Sequence, residues 1–149
     1  MGKRSKKVVG PKPDAPRGIR NNNPGNIRIS QADWRGKVKD NTDGAFEQFV
    51  DPKWGIRAIH KILLSYNKRG IDTVQEIIET WAPPIENQTQ FYVAHVAYVL
   101  DVRKTTPVNI WNPDVAVALI KTIIEHENGE MPYPDHVIRE SVGLAGVGV

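Results

Sequence analysis

The amino-acid sequence predicts an α+β domain that is mostly helical, with one small sheet near its N-terminal end. Between residues 27 and 50, short apolar segments alternate with polar residues and turn residues, which is typical of short strands. From residue 51 onward, apolar residues recur every three or four positions between capping residues, which is typical of helices. The chain of 149 residues is long enough for one domain with a buried core.

The β-rich part is predicted to form a flap. Ile27 and Ile29 alternate with polar neighbours, the sequence NTDG at residues 41–44 is typical of a turn, and residues 45–50 are suited to a return strand. These features predict a small antiparallel hairpin or a three-stranded flap, covered by Trp34.

Capping residues predict five helices. An acid followed by proline, at Asp51 and Pro52, is typical of a helix start, and the Thr-x-x-Glu sequence that begins at Thr73 is a capping box. Glycine or proline marks most of the predicted helix ends. The predicted helices cover residues 52–69, 73–82, 89–100 and 112–128, and a short last helix begins near residue 134.

The charge distribution separates an arm from the domain. The net charge is +3, but residues 1–17 hold six basic residues and one acidic residue, which leaves −2 for residues 18–149. Three prolines interrupt the basic segment, so we predict a disordered arm over residues 1–16, a single domain over residues 17–140 and a tail over residues 141–149. Because the domain itself is acidic, specific binding of nucleic acid is not expected.

Several classes of site and segment find no support in the sequence. The N-terminus lacks the apolar segment of a signal peptide, and no apolar run is long enough to form a transmembrane segment. There is no cysteine, and the four histidines lack metal-binding spacing. We therefore expect neither a metal nor another cofactor.

Glu127 is the strongest candidate for a catalytic residue. It extends the apolar stripe of the fourth predicted helix by one turn and lies at the C-terminal end of that helix. Partial burial and the helix dipole both raise the pKa of a glutamate, and a glutamate that is protonated near neutral pH can act as a general acid. The alternative is a glutamate at a frayed helix end that reaches water.

Other candidates lie in the N-terminal half. The segment RGIRNNNPGNIR at residues 17–28 is either a surface that recognises a polar ligand or a connector that hydrogen-bonds its own backbone. Asp43 and Glu47, on the predicted flap, are candidates for the second carboxylate of a glycosidase pair. The alternatives are a turn acid for Asp43 and a solvent-facing strand residue for Glu47.

Four segments together resemble a family of phage and prophage proteins that are virion-associated or act in lysis. They are RGIRNNNPGNIR, FEQFVDPKWGIRAI, WAPPIENQTQFYVAHV and IIEHENGEMPY, and the resemblance spans about residues 17–138. More distantly, the first two segments are similar to parts of lysozyme-like peptidoglycan glycosidases, and the third is similar to a late helix of lytic transglycosylases. In those enzymes the catalytic glutamate precedes the asparagine segment, whereas Glu127 follows it. We therefore expect a circularly permuted lysozyme-like domain in which Asn26 and Glu127 line one groove.

The resemblance implies an enzyme that cleaves the glycan strand of peptidoglycan between N-acetylmuramic acid and N-acetylglucosamine. Glu127 would be the general acid and base, with assistance from Asp43 or Glu47 in a hydrolase. In a lytic transglycosylase one acid suffices. The expected substrate-binding residues are Asn22, Asn23, Asn26, Arg28, Trp34, Glu86, Tyr92 and Tyr133.

The resemblance also implies partners and a location. The expected partners are peptidoglycan glycan strands and other phage virion proteins. The protein would be made in the bacterial cytoplasm without a signal peptide and would act on the cell wall or in the periplasm, as a virion component. The alternative is a non-enzymatic virion or tail protein that binds the cell wall or a partner protein.

Overall fold

The computed structural model describes residues 11–82 and 85–146, and of Glu86 and Asn87 it describes the backbone alone. Within this part of the chain the fold is mostly helical, as predicted. None of the described helices is long and apolar enough to cross a membrane. In chain order the helices are α1 (Arg17–Arg20), α2 (Pro52–Lys68), α3 (Val74–Trp81), α4 (Glu86–Leu100), α5 (Pro113–Asn128) and α6 (Asp135–Gly146).

The predicted flap is present as short extended segments. Arg28 pairs with Phe46, and Lys37 pairs with Phe49, both in antiparallel orientation. Residues 45–50 therefore contact two neighbouring segments, but each pairing is too short to form a regular strand in the described part of the chain. Just before this segment, the Asn41 side chain accepts hydrogen bonds from the backbone N–H groups of Asp43 (2.9 Å) and Gly44 (2.7 Å), which holds the chain in a tight turn.

The helix starts follow the predicted capping chemistry. The Asp51 side chain accepts a hydrogen bond from the Lys53 N–H at 2.9 Å, and Thr73 forms a complete capping box at the start of α3. At the other end of the domain, Gly129 ends α5 with a φ of 76°, a left-handed backbone that glycine adopts without strain. The Gly129 cap fixes where α5 ends, and so where Glu127 lies.

The core is built around α5, which contacts α1, α2, α4 and α6. Its predicted apolar stripe is fully buried, and each fully buried isoleucine or leucine contributes roughly 1.5–3 kcal/mol. The members of the stripe are Ala116, Leu119, Ile120, Ile123 and Ile124. Because α5 packs against four other helices, this packing also fixes the position of its last turn, which carries Glu127.

Three boundaries differ from the prediction. The short helix α1 lies in a segment predicted as loop, and α4 begins at Glu86 instead of near residue 89. The predicted tail is also wrong over residues 141–146, because α6 continues to Gly146 and buries Val142 and Ala145. Of the predicted arm, residues 11–16 precede α1 and are mainly exposed. Residues 1–10 and 147–149 lie outside the described residues.

Candidate functional site

The asparagine segment after α1 is held in place by its own side chains. Asn23 is fully buried, and its amide donates to the backbone oxygens of Ile27 and Glu47, both at 2.9 Å. The Asn22 amide donates to the Phe49 oxygen at 3.0 Å. The prediction that Asn22 and Asn23 bind substrate is therefore corrected: both amides brace the segment against the flap, as the connector alternative expects.

Asn26 is the member of the segment that faces α5. Its backbone is left-handed, with a φ of 51°. Its side-chain nitrogen lies 3.2 Å from Oε1 of Glu127, across 101 positions of sequence. A second tether joins the same two elements, since the Asn128 amide donates to the Pro24 oxygen at 2.8 Å. The prediction that Asn26 and Glu127 line one groove is confirmed.

Trp81 also holds Glu127, although no pattern in the sequence pointed to it. It is the last residue of α3, and its indole Nε1 donates to Oε2 of Glu127 at 3.3 Å. Each oxygen of the carboxylate thus has a neutral hydrogen-bond donor. The two donors fix the orientation of the carboxylate without neutralising it.

The environment of Glu127 favours its protonated form. Burial raises the pKa of Glu127, and the hydrogen bonds from Asn26 and Trp81 oppose this rise in part. Glu127 forms none of the ion pairs found among the described residues. The carboxyl group therefore keeps its proton to a higher pH than an exposed glutamate does, which suits a general acid.

A cleft of about 390 Å³ opens in front of Glu127. Its walls combine aromatic side chains with the asparagine amide, the carboxyl group and one guanidinium group, a composition suited to a sugar chain. Among the described residues, the lining consists of Gly25, Asn26, Ile27, Arg28, Phe46, Ile62, Tyr66, Trp81 and Glu127.

Asp43 is a structural acid, which corrects its predicted catalytic role. It forms two hydrogen bonds with the Arg17 guanidinium, at 2.6 and 2.8 Å, and accepts one from the Asn21 amide at 2.9 Å. These contacts, together with the backbone N–H of Phe46, hold the pKa of Asp43 well below its usual range. Asp43 joins α1 to the flap and does not line the Glu127 cleft.

Glu47 is also corrected. Its side chain is fully buried, and its Oε2 lies 3.3 Å from both the Lys37 amine and the Ser30 N–H. An enclosed carboxylate in this position cannot reach a ligand in the cleft. Inside the flap, Glu47 joins its own segment to the backbone of Ser30 and the side chain of Lys37.

The remaining predicted substrate-binding residues are dispersed. Arg28 lines the cleft, but Trp34 and Tyr133 are partly buried elsewhere. Tyr92 is buried and stacks on His126 at 4.0 Å, beside a second pocket of about 380 Å³. The Glu86 side chain lies outside the described residues. The part of the chain that the structure describes contains no cluster of three or more side chains suited to hold a metal ion.

Replacing Asn26 with glycine is expected to raise the pKa of Glu127 further. Glycine fits the left-handed backbone, and the change removes a donor that stabilises the charged carboxylate. NMR titration of the Glu127 carboxyl carbon would measure the pKa directly. The matched control is Asn22→Gly: Asn22 has a similar φ of 53°, but its amide bonds to the Phe49 oxygen. Equal pKa values in wild type and Asn26→Gly would contradict this account of the contact.

No protein-family model matches the chain. Comparison with curated proteins finds Protein P5 of Pseudoalteromonas phage PM2, which is 38% identical over 124 residues. The match covers 80% of this chain and 76% of that protein. The chain therefore belongs to the same family of phage proteins as Protein P5.

Proposed function

We propose that the protein cleaves the glycan strand of peptidoglycan between N-acetylmuramic acid and N-acetylglucosamine, with Glu127 as general acid and base. The main support is the contact between Asn26 and Glu127, which places a carboxyl group of raised pKa in an aromatic cleft. The sequence resemblance to lysozyme-like enzymes supports the same reading. Membership of a phage protein family fits a protein that acts during entry or lysis.

The positions of the carboxylates favour a mechanism with one acid. Among the described residues, Glu127 is the single carboxylate that lines the cleft, and both Asp43 and Glu47 are held by basic partners. A hydrolase of the usual type needs two carboxylates beside the scissile bond. A lytic transglycosylase needs only one, because the substrate itself supplies the nucleophile.

In the proposed reaction, protonated Glu127 gives its proton to the glycosidic oxygen as the bond between that oxygen and C1 of the muramyl residue breaks. The muramyl 6-hydroxyl then attacks C1, and Glu127 takes the hydroxyl proton. The products are a 1,6-anhydromuramyl end and a free N-acetylglucosamine 4-hydroxyl, and Glu127 is again protonated. Asn26 and Trp81 hold the carboxylate for both proton transfers.

Mass spectrometry of purified peptidoglycan after incubation with the protein tests this proposal. The expected products are fragments with 1,6-anhydromuramyl ends. Reducing N-acetylmuramic acid ends would assign hydrolysis instead. Binding to peptidoglycan with no product released would support a second function, a virion component that binds the cell wall or a partner protein.

One feature favours that second function. The outer face of α4 exposes Phe91 and Tyr98, which are 75% and 83% accessible. Large exposed aromatic side chains on one helix face are typical of interaction surfaces. Other virion proteins are suitable partners for a member of a phage family, and we propose that the protein reaches the cell wall as part of a virion.

A further inference from the structure

The Glu127 cleft has an unpaired positive charge at its rim. Arg28 is exposed, lines the cleft, and lies over the Phe46 ring with 4.8 Å between its guanidinium carbon and the ring centroid. It forms none of the ion pairs found among the described residues, and its side chain donates no hydrogen bond to them. None of its five guanidinium N–H donors is therefore used by the part of the chain that the structure describes.

Arg17 provides an internal comparison, because it contacts the same ring. Its guanidinium carbon lies 4.5 Å from the Phe46 centroid, yet its N–H groups are used by Asp43, at 2.6 and 2.8 Å. In this pair, an aromatic ring and a carboxylate together satisfy one guanidinium group. Arg28 has the ring but lacks the carboxylate.

Glu127 is not the carboxylate partner that Arg28 lacks. Its two oxygens are used by Asn26 and Trp81, and its raised pKa would fall if a nearby arginine stabilised the charged form. The cleft therefore holds the Glu127 carboxyl group, which no cation stabilises, and the Arg28 guanidinium group, which has no anionic partner among the described residues. A ligand that fits both carries a carboxylate at a distance from its reacting bond.

We propose that Arg28 binds a carboxylate of the glycan strand and makes the cleft selective for anionic strands over neutral ones. This inference rests on the proposed function and names its substrate class. Guanidinium groups bind carboxylates through two parallel hydrogen bonds, and an aromatic ring beneath the guanidinium holds it in place. Peptidoglycan offers this group in two forms: the lactyl carboxylate of muramic acid without a peptide, and the carboxylates of an attached stem peptide.

The test measures binding in a Glu127→Gln background, in which product formation is expected to be about 10²–10⁴-fold slower. Isothermal titration calorimetry would use three tetrasaccharide probes: a continuous peptidoglycan tetrasaccharide that carries its stem peptides, the same glycan after enzymatic removal of its peptides, and neutral tetra-N-acetylglucosamine. Adding Arg28→Gln is expected to weaken binding of an anionic probe by roughly tenfold or more, the usual value of a charge-assisted hydrogen bond. Binding of the neutral probe should not change. A loss confined to the second probe identifies the lactyl carboxylate, and one confined to the first identifies the stem peptide.

The control is Arg103→Gln, which also removes one positive charge from an exposed arginine but lies outside the cleft lining. It should leave the binding of all three probes unchanged. Equal weakening of anionic and neutral probes by Arg28→Gln, no weakening at all, or failure of every probe to bind would overturn the inference. If the wild type releases no product while Arg28→Gln still removes the anionic preference, the proposed reaction fails and the binding site stands. If product forms and Arg28→Gln does not change binding, the proposed reaction stands and the inference about Arg28 fails.

Discussion

Glu127→Gln is expected to lower the rate of product release from purified peptidoglycan by about 10²–10⁴-fold, the usual contribution of a general acid and base. Glutamine has nearly the same shape and keeps one oxygen for the Asn26 or Trp81 donor, so the fold should survive. It carries no transferable proton, so the leaving oxygen departs without one. The assay is the loss of turbidity of a peptidoglycan suspension, with products identified by mass spectrometry.

The matched control for this substitution is Glu125→Gln. Glu125 is exposed on the same last turn of α5, two positions earlier, and is not part of the cleft. Its replacement should leave the rate unchanged. Full activity in Glu127→Gln, with an unchanged unfolding temperature, would remove Glu127 from the mechanism.

Gly55→Ala is expected to destabilise the domain by roughly 3 kcal/mol, at the upper end of the usual cost of overpacking. Gly55 is buried in the first turns of α2, and a Cβ at this position would lie only 2.1 Å from the backbone oxygen of Asn22. Because that oxygen belongs to the backbone, the whole asparagine segment must shift. We expect an unfolding temperature lower by about 10 °C, measured by calorimetry, and weaker activity because Asn26 moves with the segment.

Gly143→Ala is the matched control, since it is the same substitution in another helix. Gly143 lies in α6, and among the described residues a Cβ there would meet nothing within 4 Å apart from its chain neighbours and the backbone of its own helix. Alanine should stabilise the helix by up to about 1 kcal/mol. If Gly55→Ala proved as stable as the wild type, the close approach between α2 and the asparagine segment would be refuted.

Helices α2 to α6 and the position of Glu127 could be predicted, apart from exact boundaries, because local chemistry determines them. The caps at Asp51, Thr73 and Gly129 and the period of the apolar stripe on α5 each act within one or two turns. The helix end then carries Glu127 to the edge of the core. Its contact with Asn26 was inferred from a resemblance, and the separation of 101 positions shows why no local pattern predicts it.

The roles of individual polar residues could not be predicted, because composition does not distinguish an amide that faces a ligand from one that faces the backbone. Asn23 and Asn26 are three positions apart, yet Asn23 is fully buried as a brace and Asn26 faces the cleft. Nothing in the sequence around Asp43 indicates that Arg17, 26 positions earlier, holds its carboxylate. Trp81 becomes a site residue only through the long-range contact of its indole with Glu127 on the last turn of α5.

The separation of Asn26 and Glu127 also has a consequence for biosynthesis. At about 5–20 residues per second, a ribosome finishes the asparagine segment roughly 5–20 seconds before it adds Glu127, which is 101 positions later. During that interval the nascent chain has part of the cleft wall but no acid. Any premature termination before the last turn of α5 gives the same result. A partial chain that stops before residue 127 therefore lacks the acid of the cleft.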